Sequence, residues 1–251
     1  KKRPQLIVRE ANTPSVDCFE SAFVLRNRVF PILASLFYSR ADAVVAVSTG
    51  VAKDLIENMG VPRSAVRVIH NPTVDDEIFA LMGEQVSHPW FSDKGPPVLL
   101  SVGRLSAQKR FDVLLRALSI ARRRRPLRLV ILGEGEGRER LESLVRELGL
   151  ADCVSLPGFD SNPYAYMARA RLYVMSSAWE GFPNTLVEAL ACGLPVVSTD
   201  CPSGPREILA ADDLGTGTYG TLVPVGDPAK LSEAILLELD RYRDRDSLRL
   251  R

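Results

Sequence analysis

The sequence predicts an α/β protein built on parallel β-sheets, and two observations support that prediction. Short apolar runs alternate almost throughout with stretches of helical periodicity, as in βαβ units. Apolar residues make up 46% of the 251 residues and charged residues 25%, which is typical of a globular protein with a full core. Because ligands in such folds bind at the carboxyl ends of the strands, we expect the chemistry in the loops that follow strands.

The first 70 residues predict a partial domain with a few short elements. These are strands at 6–8, 43–47 and 66–69 and helices at 22–39 and 49–58. Ser48 suits the N-cap of the second helix and Gly60 suits its end. Residues 71–97, rich in Pro and Gly, break the pattern and predict a linker.

Residues 98–251 predict a second domain with a more regular alternation. The strands are expected at 98–102, 127–132, 154–156, 172–175, 195–198 and 221–223, and the helices at 111–122, 137–148, 164–170, 184–191 and 228–239. Asp227 suits the N-cap of the last helix, and Pro228 suits its first position. We expect the chain to be part of a longer protein, because it opens on a strand-like run and closes on charged residues.

Charge and hydropathy exclude several classes of function. Lys and Arg number 32 and Asp and Glu 31, so the net charge of +1 argues against a dedicated nucleic-acid binder. The longest apolar run, 29–38, contains Pro31 and is too short to span a membrane. The four cysteines form no CxxC pair, which favours buried thiols in a reducing compartment over disulfides or zinc.

The loop after strand 98–102 carries two cations. Gly103 permits close approach of the backbone to a ligand, Arg104 offers a planar fork for phosphate oxygens, and Lys109 adds a point charge. Together they suit an anion without a metal. On these residues alone, a solvated loop with two surface charges is an equally good interpretation.

A glycine turn follows strand 127–132. Gly133, Gly135 and Gly137 form a GxGxG pattern that differs from the GxGxxG dinucleotide fingerprint. Glu134 and Glu136 stand where a pyrophosphate would lie and would repel it, so we exclude NAD binding. The alternative that this tight turn lies near the edge of a bound nucleotide is still open.

The loop after strand 172–175 is the most informative. Glu180 and Glu188 have an E-x7-E spacing, with Gly181 and Pro183 between them at the start of a helix. The free N–H groups of a helix start bind anions, and a carboxylate at Glu188 suits the two hydroxyls of a ribose. Solvated helix glutamates are the weaker interpretation.

Three further segments favour ordinary structural roles. Ser203, in the loop 200–207, offers a donor to a phosphate or sugar, although an ordinary turn is the stronger interpretation of that loop alone. Asp244 and Asp246 form a D-x-D pattern in a charged terminal stretch, which indicates a solvated helix rather than a metal site. The basic run 122–125 indicates a solvated helix end, with attraction to an anionic membrane as the minor alternative.

Taken in order, these loops resemble glycosyltransferase family 4, the retaining group with the GT-B fold. The resemblance is carried by Gly103-Arg104 with Lys109, the 133–137 turn, the E-x7-E pair, the segment 189–197 and the loop 201–207, and it is strong over residues 98–239. It implies a Rossmann-like donor domain and a truncated Rossmann-like acceptor domain. The first part of the chain matches more weakly, at residues 9–14.

The resemblance also implies the roles of the residues. Arg104 and Lys109 would stabilise the departing diphosphate, Glu180 would contact the donor sugar, and Glu188 would bind the ribose. The remaining donor-binding candidates are Gly103, Gly133, Gly135, Phe182, Pro183, Asn184, Thr185, Leu186 and Ser203. The donor would be a nucleotide-sugar, most often a UDP-sugar. The anomeric configuration would be retained, with no divalent ion and no further cofactor.

By family analogy we expect a lipid-linked or polysaccharide acceptor and a cytoplasmic protein at the inner face of the membrane. Two alternatives stay open: a nucleotide-sugar epimerase of the same fold, and a non-catalytic donor-binding fragment that needs a partner chain. The second alternative is supported by residues 10–12, where the family often has a histidine near the acceptor and this chain has none. The sequence identifies neither the sugar nor the oligomeric state.

Overall fold

The structure, a computed structural model, describes residues 5–19, 37–38, 40–92, 94–212, 215 and 217–241, without the side chains of residues 17–19. The chain forms two units. The smaller comprises Lys1–Pro72, Trp179–Pro183 and Pro202–Glu207, and the larger comprises Thr73–Ala178, Asn184–Cys201 and Ile208–Arg251. This division differs from the boundaries predicted at residues 70 and 97, because two loops from the second half of the chain belong to the smaller unit.

The smaller unit holds a parallel sheet in the order β1-β2-β3. Its elements are β1 (Ile7–Glu10), α1 (Pro14–Phe19), β2 (Ala43–Ala46), α2 (Thr49–Glu57) and β3 (Val66–Val68). The three predicted strands and the second predicted helix are confirmed. The predicted N-cap is also confirmed, since the Ser48 hydroxyl accepts a hydrogen bond from the Val51 N–H at 3.1 Å. The predicted helix 22–39 lies outside the described residues, except for positions 37 and 38.

The larger unit holds six parallel strands in the order β6-β5-β4-β7-β8-β9. The strands are β4 (Val98–Val102), β5 (Arg128–Leu132), β6 (Val154–Gly158), β7 (Leu172–Met175), β8 (Val196–Thr199) and β9 (Gly220–Val223). The helices are α3 (Asp76–Leu81), α4 (Phe111–Ala121), α5 (Arg138–Glu147), α6 (Pro163–Arg169), α7 (Asn184–Ala191), α8 (Pro205–Ile208), which begins in the smaller unit, and α9 (Pro228–Asp240). The predicted α/β class with parallel sheets is confirmed.

The large sheet is buried on both faces, which explains its continuous apolar strands. Successive side chains of a strand point to opposite faces, so Leu99 packs in the core with α4, α5 and α9 while Leu100 packs in the other core with α6 and α7. The strand order reverses at β4, which pairs with β5 on one side and β7 on the other. Such a reversal opens a crevice at the carboxyl ends of the strands.

The segment predicted as a linker is a packed part of the larger unit. It contains α3, whose N-terminal N–H groups are capped by the Asp75 carboxylate, and Ile78 on that helix is buried in the second core. Trp90 packs against the same core, and the Arg128 guanidinium lies 5.2 Å from the centre of its ring. The sequence did not predict these apolar contacts, because prolines and glycines interrupt the apolar pattern of this segment. Among the described helices, none is both long enough and apolar enough to cross a bilayer.

Candidate functional site

A cavity of about 550 Å³ lies in the larger unit where β4, β5 and β6 end, and the first turns of α7 form one of its walls. We call it the strand-end cavity. The residues that line it are Val102, Gly103, Arg104, Leu132, Gly133, Glu134, Phe159, Asp160, Ser161, Pro163, Tyr164, Thr185 and Glu188. Its position is the one expected for a ligand site in a parallel sheet whose strand order reverses.

Three of the predicted loops meet at this cavity. The loop after β4 contributes Gly103 and Arg104, the glycine turn after β5 contributes Gly133, and α7 contributes Thr185 and Glu188. They are far apart in the sequence and adjacent here because β4 and β5 pair directly while β7, the strand before α7, flanks β4 on its other side. The cavity therefore combines a cation, a carboxylate and glycine backbone in its lining.

The two predicted cations lie on either side of Gly103. Arg104 is exposed and lines the cavity. The stem of Lys109 covers Gly103, since a Cβ added to that glycine would lie 3.2 Å from the Lys109 Cε. The Lys109 carbonyl accepts a hydrogen bond from the Ser176 hydroxyl at 2.7 Å, which holds the turn that carries the lysine. Both side chains thus start from one loop at the end of β4.

The glycine turn after β5 allows the two loops to touch. Gly133 has a φ of 139°, and a Cβ there would lie 2.0 Å from the Gly103 carbonyl oxygen. The Gly103 N–H donates to the Leu132 carbonyl at 2.9 Å, and the Leu105 N–H donates to the Glu134 carbonyl at the same distance. A Cβ at Gly135 would lie 2.7 Å from the Leu105 carbonyl oxygen. The glycines therefore support the loop that carries Arg104.

Replacing Gly133 with alanine is expected to destabilise the fold by about 3 kcal/mol or more, because the new Cβ would meet backbone and φ would be strained. Thermal unfolding should then begin about 6–12 °C lower, given about 2–4 °C per kcal/mol for a chain of this size. Gly149→Ala is the matched control, since Gly149 also has a positive φ but a Cβ there meets nothing within 4 Å. Equal losses of Tm in the two variants would contradict the close-contact explanation.

Glu188 faces the cavity from the second turn of α7 and is partly buried. Burial raises the pKa of its carboxyl to about 7, because the charged form loses hydration there. Thr185 lies one turn earlier on the same helix face and also lines the cavity. Its hydroxyl accepts a hydrogen bond of 2.8 Å from the buried Tyr173 hydroxyl. The helix thus presents a fixed hydroxyl and a carboxylate of raised pKa side by side.

The loop after β6 forms a further wall of the cavity, and none of the sequence motifs predicted it. Phe159, Asp160, Ser161 and Tyr164 all line the cavity, and the Phe159 side chain is 78% exposed at its edge. Its place in the sequence could have indicated this wall, because the loop directly follows a strand of the predicted parallel sheet. Burial raises the pKa of the Tyr164 hydroxyl, and the nearby Glu188 carboxylate adds to that shift.

Four predicted residues belong to the smaller unit and are described with it. Glu180 is buried, and its carbonyl accepts a hydrogen bond of 2.6 Å from the Thr13 hydroxyl. The same Thr13 hydroxyl lies 2.9 Å from the Ser203 hydroxyl, and Ser203 adopts a φ of 66°. The Phe182 ring stacks on His70 at 5.2 Å between centroids. Pro183 packs on Gly204, where a Cβ would lie 2.4 Å from the proline Cδ.

The two remaining candidates are at the start of α7. Asn184 is exposed at the first position of the helix, whereas the Leu186 side chain is fully buried in the core under the sheet. Only the backbone of Leu186 is therefore available to a ligand. The roles of all these residues in donor binding stay predictions.

Within the part of the chain that the structure describes, no three His, Cys, Asp or Glu side chains gather as a metal site. Asp244 and Asp246, which form the D-x-D pattern, lie outside that part. Cys153, Cys192 and Cys201 are buried and form no disulfide among the described residues, while the side chain of Cys18 is outside that part.

Comparison with known proteins is consistent with this arrangement. Residues 84–249 match the family model of glycosyl transferases group 1, and residues 10–77 match that of glycosyltransferase family 4. The chain is 36% identical over 243 residues to N-acetylgalactosamine-N,N'-diacetylbacillosaminyl-diphospho-undecaprenol 4-alpha-N-acetylgalactosaminyltransferase of Campylobacter jejuni, covering 96% of this chain and 62% of that enzyme. It is 34% identical over 175 residues to lipopolysaccharide 1,6-galactosyltransferase of Salmonella typhimurium, covering 67% and 46%. The chain thus spans about half to two thirds of the length of these curated relatives.

The fold is shared with a solved structure. HepE of Anabaena, crystallised with UDP and glucose, superposes with a TM-score of 0.77 at 22% identity, covering 98% of this chain and 64% of that one. This likeness confirms the expected α/β fold of the GT-B type. Because the group 1 model matches more than half of the chain, the protein belongs to the family of group 1 glycosyl transferases.

Proposed function

We propose that the chain forms the donor side of a glycosyltransferase that moves a sugar from a UDP-sugar to a lipid-linked or polysaccharide acceptor with retention of configuration. The observation that carries the proposal is the strand-end cavity, which Arg104, Gly133 and Glu188 line together. A nucleoside diphosphate has anionic phosphates at one end and a ribose diol nearby. A cation and a carboxylate across one cavity suit these two parts.

The departing diphosphate is the first demand of this reaction. When the bond from the anomeric carbon to the phosphate oxygen breaks, negative charge develops on that oxygen. Arg104 and Lys109, both from the loop after β4, would stabilise this charge without a reorganisation of solvent. The start of α7 adds the partial positive charge of a helix N-terminus.

The ribose is the second demand. A carboxylate accepts two hydrogen bonds, so ionised Glu188 would hold both ribose hydroxyls. The neighbouring Thr185 hydroxyl, fixed by Tyr173, gives the same helix face a second polar group. Burial of Glu188 supports this role, since a hydrogen bond to a charged group is stronger where water is excluded.

For the sugar itself we propose front-face attack. The acceptor oxygen would bond to the anomeric carbon on the side from which the diphosphate leaves, and its proton would pass to the departing phosphate oxygen. Glu180 would contact the donor sugar, and the backbone at 182–185 would meet its hydroxyls and the phosphate. The Campylobacter and Salmonella relatives, named for a diphospho-undecaprenol-linked glycan and for lipopolysaccharide, support a lipid-linked acceptor.

The test is transfer by the 251-residue chain from UDP-glucose, UDP-galactose and their N-acetyl forms to undecaprenyl-diphosphate glycans, with the anomeric configuration of the product read by NMR. Retained configuration supports the proposal. A change of the donor sugar without acceptor would instead show an epimerase. UDP binding without transfer would show a donor-binding fragment, and a folded chain that binds no UDP in calorimetry would refute the donor assignment.

Removal of divalent ions is expected to leave transfer unchanged within about twofold, because the leaving group would be stabilised by Arg104, Lys109 and a helix end rather than by a metal. The measurement compares initial rates with and without EDTA at constant ionic strength. A rate that falls more than tenfold in EDTA and returns with Mg²⁺ or Mn²⁺ would contradict metal-independent transfer.

A further inference from the structure

One charge in the strand-end cavity opposes the proposed ligand. Glu134 lines the cavity beside Gly133, and its side chain is 54% exposed. A carboxylate here would repel a diphosphate held by Arg104 in the same cavity. The cavity therefore requires something that offsets the charge of Glu134.

Arg138, in the first turn of α5, makes that contact. Its Nε donates to Glu134 Oε2 at 2.8 Å and its Nη2 donates to Oε1 at 2.6 Å, so the ion pair is bidentate. The pairing lowers the pKa of the Glu134 carboxyl and raises that of the guanidinium. Both groups are therefore charged at neutral pH, and the guanidinium offsets the negative charge of the carboxylate that faces the cavity.

The same arginine is anchored to the middle of β6. Its Nη1 donates to the Leu156 carbonyl at 3.2 Å and to the Glu142 carboxylate at 3.1 Å. The Gly133 carbonyl lies 3.5 Å from Nη2, so four groups including Glu134 accept hydrogen bonds from the guanidinium and restrict its movement.

Gly158, the last residue of β6, provides the space for this pair. A Cβ at Gly158 would lie 2.9 Å from Glu134 Oε1, so the carboxylate rests against the glycine backbone. Gly158 also has a φ of 104°, which disfavours any larger residue. Arg138 and Gly158 together determine where the Glu134 carboxylate lies.

We propose that Arg138 is a positioning residue that holds the Glu134 carboxylate over Gly158 and neutralises it, so that the strand-end cavity admits an anionic ligand beside Arg104. Partly exposed ion pairs contribute little to folding, so the value of this pair lies in the electrostatics of the cavity. The identity of the anion as UDP rests on the proposed function, whereas the electrostatic role applies to any diphosphate.

The test is a double-mutant cycle in the 251-residue chain, with UDP and inorganic pyrophosphate as separate calorimetric probes. Arg138→Met is expected to weaken binding of both about tenfold at low salt, because it leaves an unpaired carboxylate in the cavity. Glu134→Gln alone should bind within about twofold of the parent. The double variant should recover to within about threefold, and the loss in Arg138→Met should shrink in 0.5 M salt.

Arg140→Met is the matched control, since it removes the same charge from an exposed position on the same helix. It should bind both probes like the parent, and all variants should unfold at similar temperatures. An Arg138→Met loss that Glu134→Gln does not rescue would overturn the proposal, as would weak binding by Glu134→Gln alone. Binding of neither probe to the parent chain would also overturn it. Binding of pyrophosphate but not UDP would refute only the nucleotide assignment. The double-mutant cycle with pyrophosphate would then test the role of Arg138.

Discussion

Replacing Arg104 with alanine is expected to lower the rate of sugar transfer about 100- to 1000-fold, with a weaker binding of UDP. The loss is large because the guanidinium would face charge that develops only as the bond to the diphosphate breaks. Arg104 lines the strand-end cavity from the end of β4, where the Leu132 and Glu134 carbonyls accept hydrogen bonds from the loop backbone. Single-turnover rates and calorimetry with UDP separate the chemical step from binding.

Two further variants sharpen this measurement. Arg104→Lys keeps the charge and loses the planar fork, so an intermediate loss is expected. Arg116→Ala is the control, because it removes an arginine from an exposed position on α4 that does not line the cavity. Transfer by Arg104→Ala within about threefold of the parent would show that the leaving group is stabilised elsewhere.

Replacing Glu188 with glutamine is expected to weaken UDP binding about 10- to 100-fold while stabilising the fold at alkaline pH. Binding falls because an amide replaces a charged acceptor of two ribose hydroxyls, and hydrogen bonds to charged groups contribute about 1.5–3 kcal/mol each. Calorimetry with UDP measures this loss. Thr185→Val is a useful comparison, because it removes the neighbouring cavity hydroxyl without changing charge.

The effect on stability follows from the raised pKa of Glu188, about 7 against the ordinary 4.5. The folded chain binds an additional proton between these values, so the contribution of this group favours folding at low pH and is lost as pH rises through 7. Glutamine carries no charge, so Glu188→Gln should unfold at a higher Tm than the parent at pH 8 and at nearly the same Tm at pH 5. A difference in Tm that does not change between pH 5 and pH 8 would contradict the burial of a charged carboxylate.

Binding should show the complementary dependence on pH. The proposed ribose contact needs the ionised carboxylate, so UDP affinity of the parent should rise between pH 6 and pH 8. Glu188→Gln provides the baseline, because UDP ionises in the same way with this variant and only the titration of Glu188 is removed. If UDP affinity changes with pH in the same way in the parent and in the glutamine variant, Glu188 does not contact the ribose.

Much of the fold follows from local patterns in the sequence. The apolar runs at 98–102 and 172–175 become β4 and β7 at the same residues, and Ser48 and Asp227 cap helices as predicted. These features depend on neighbouring residues alone, because a strand is predicted from a run of adjacent apolar residues and a cap from residues within one helical turn. The prediction of a linker at 71–97 missed a packed helix for the opposite reason, since Ile78 and Trp90 make core contacts but are scattered among prolines and glycines.

The sequence by itself determined the α/β class, the family resemblance and the strand-end loops that carry Arg104, Gly133 and Glu188. Only the tertiary structure decided that these three line one cavity and that the loop of Phe159 completes it. The reason is that strand order and depth of burial arise from contacts between distant parts of the chain. The same contacts raise the pKa of Glu188 and bring Gly158 of β6 against the Glu134 carboxylate, and neither effect follows from local spacing.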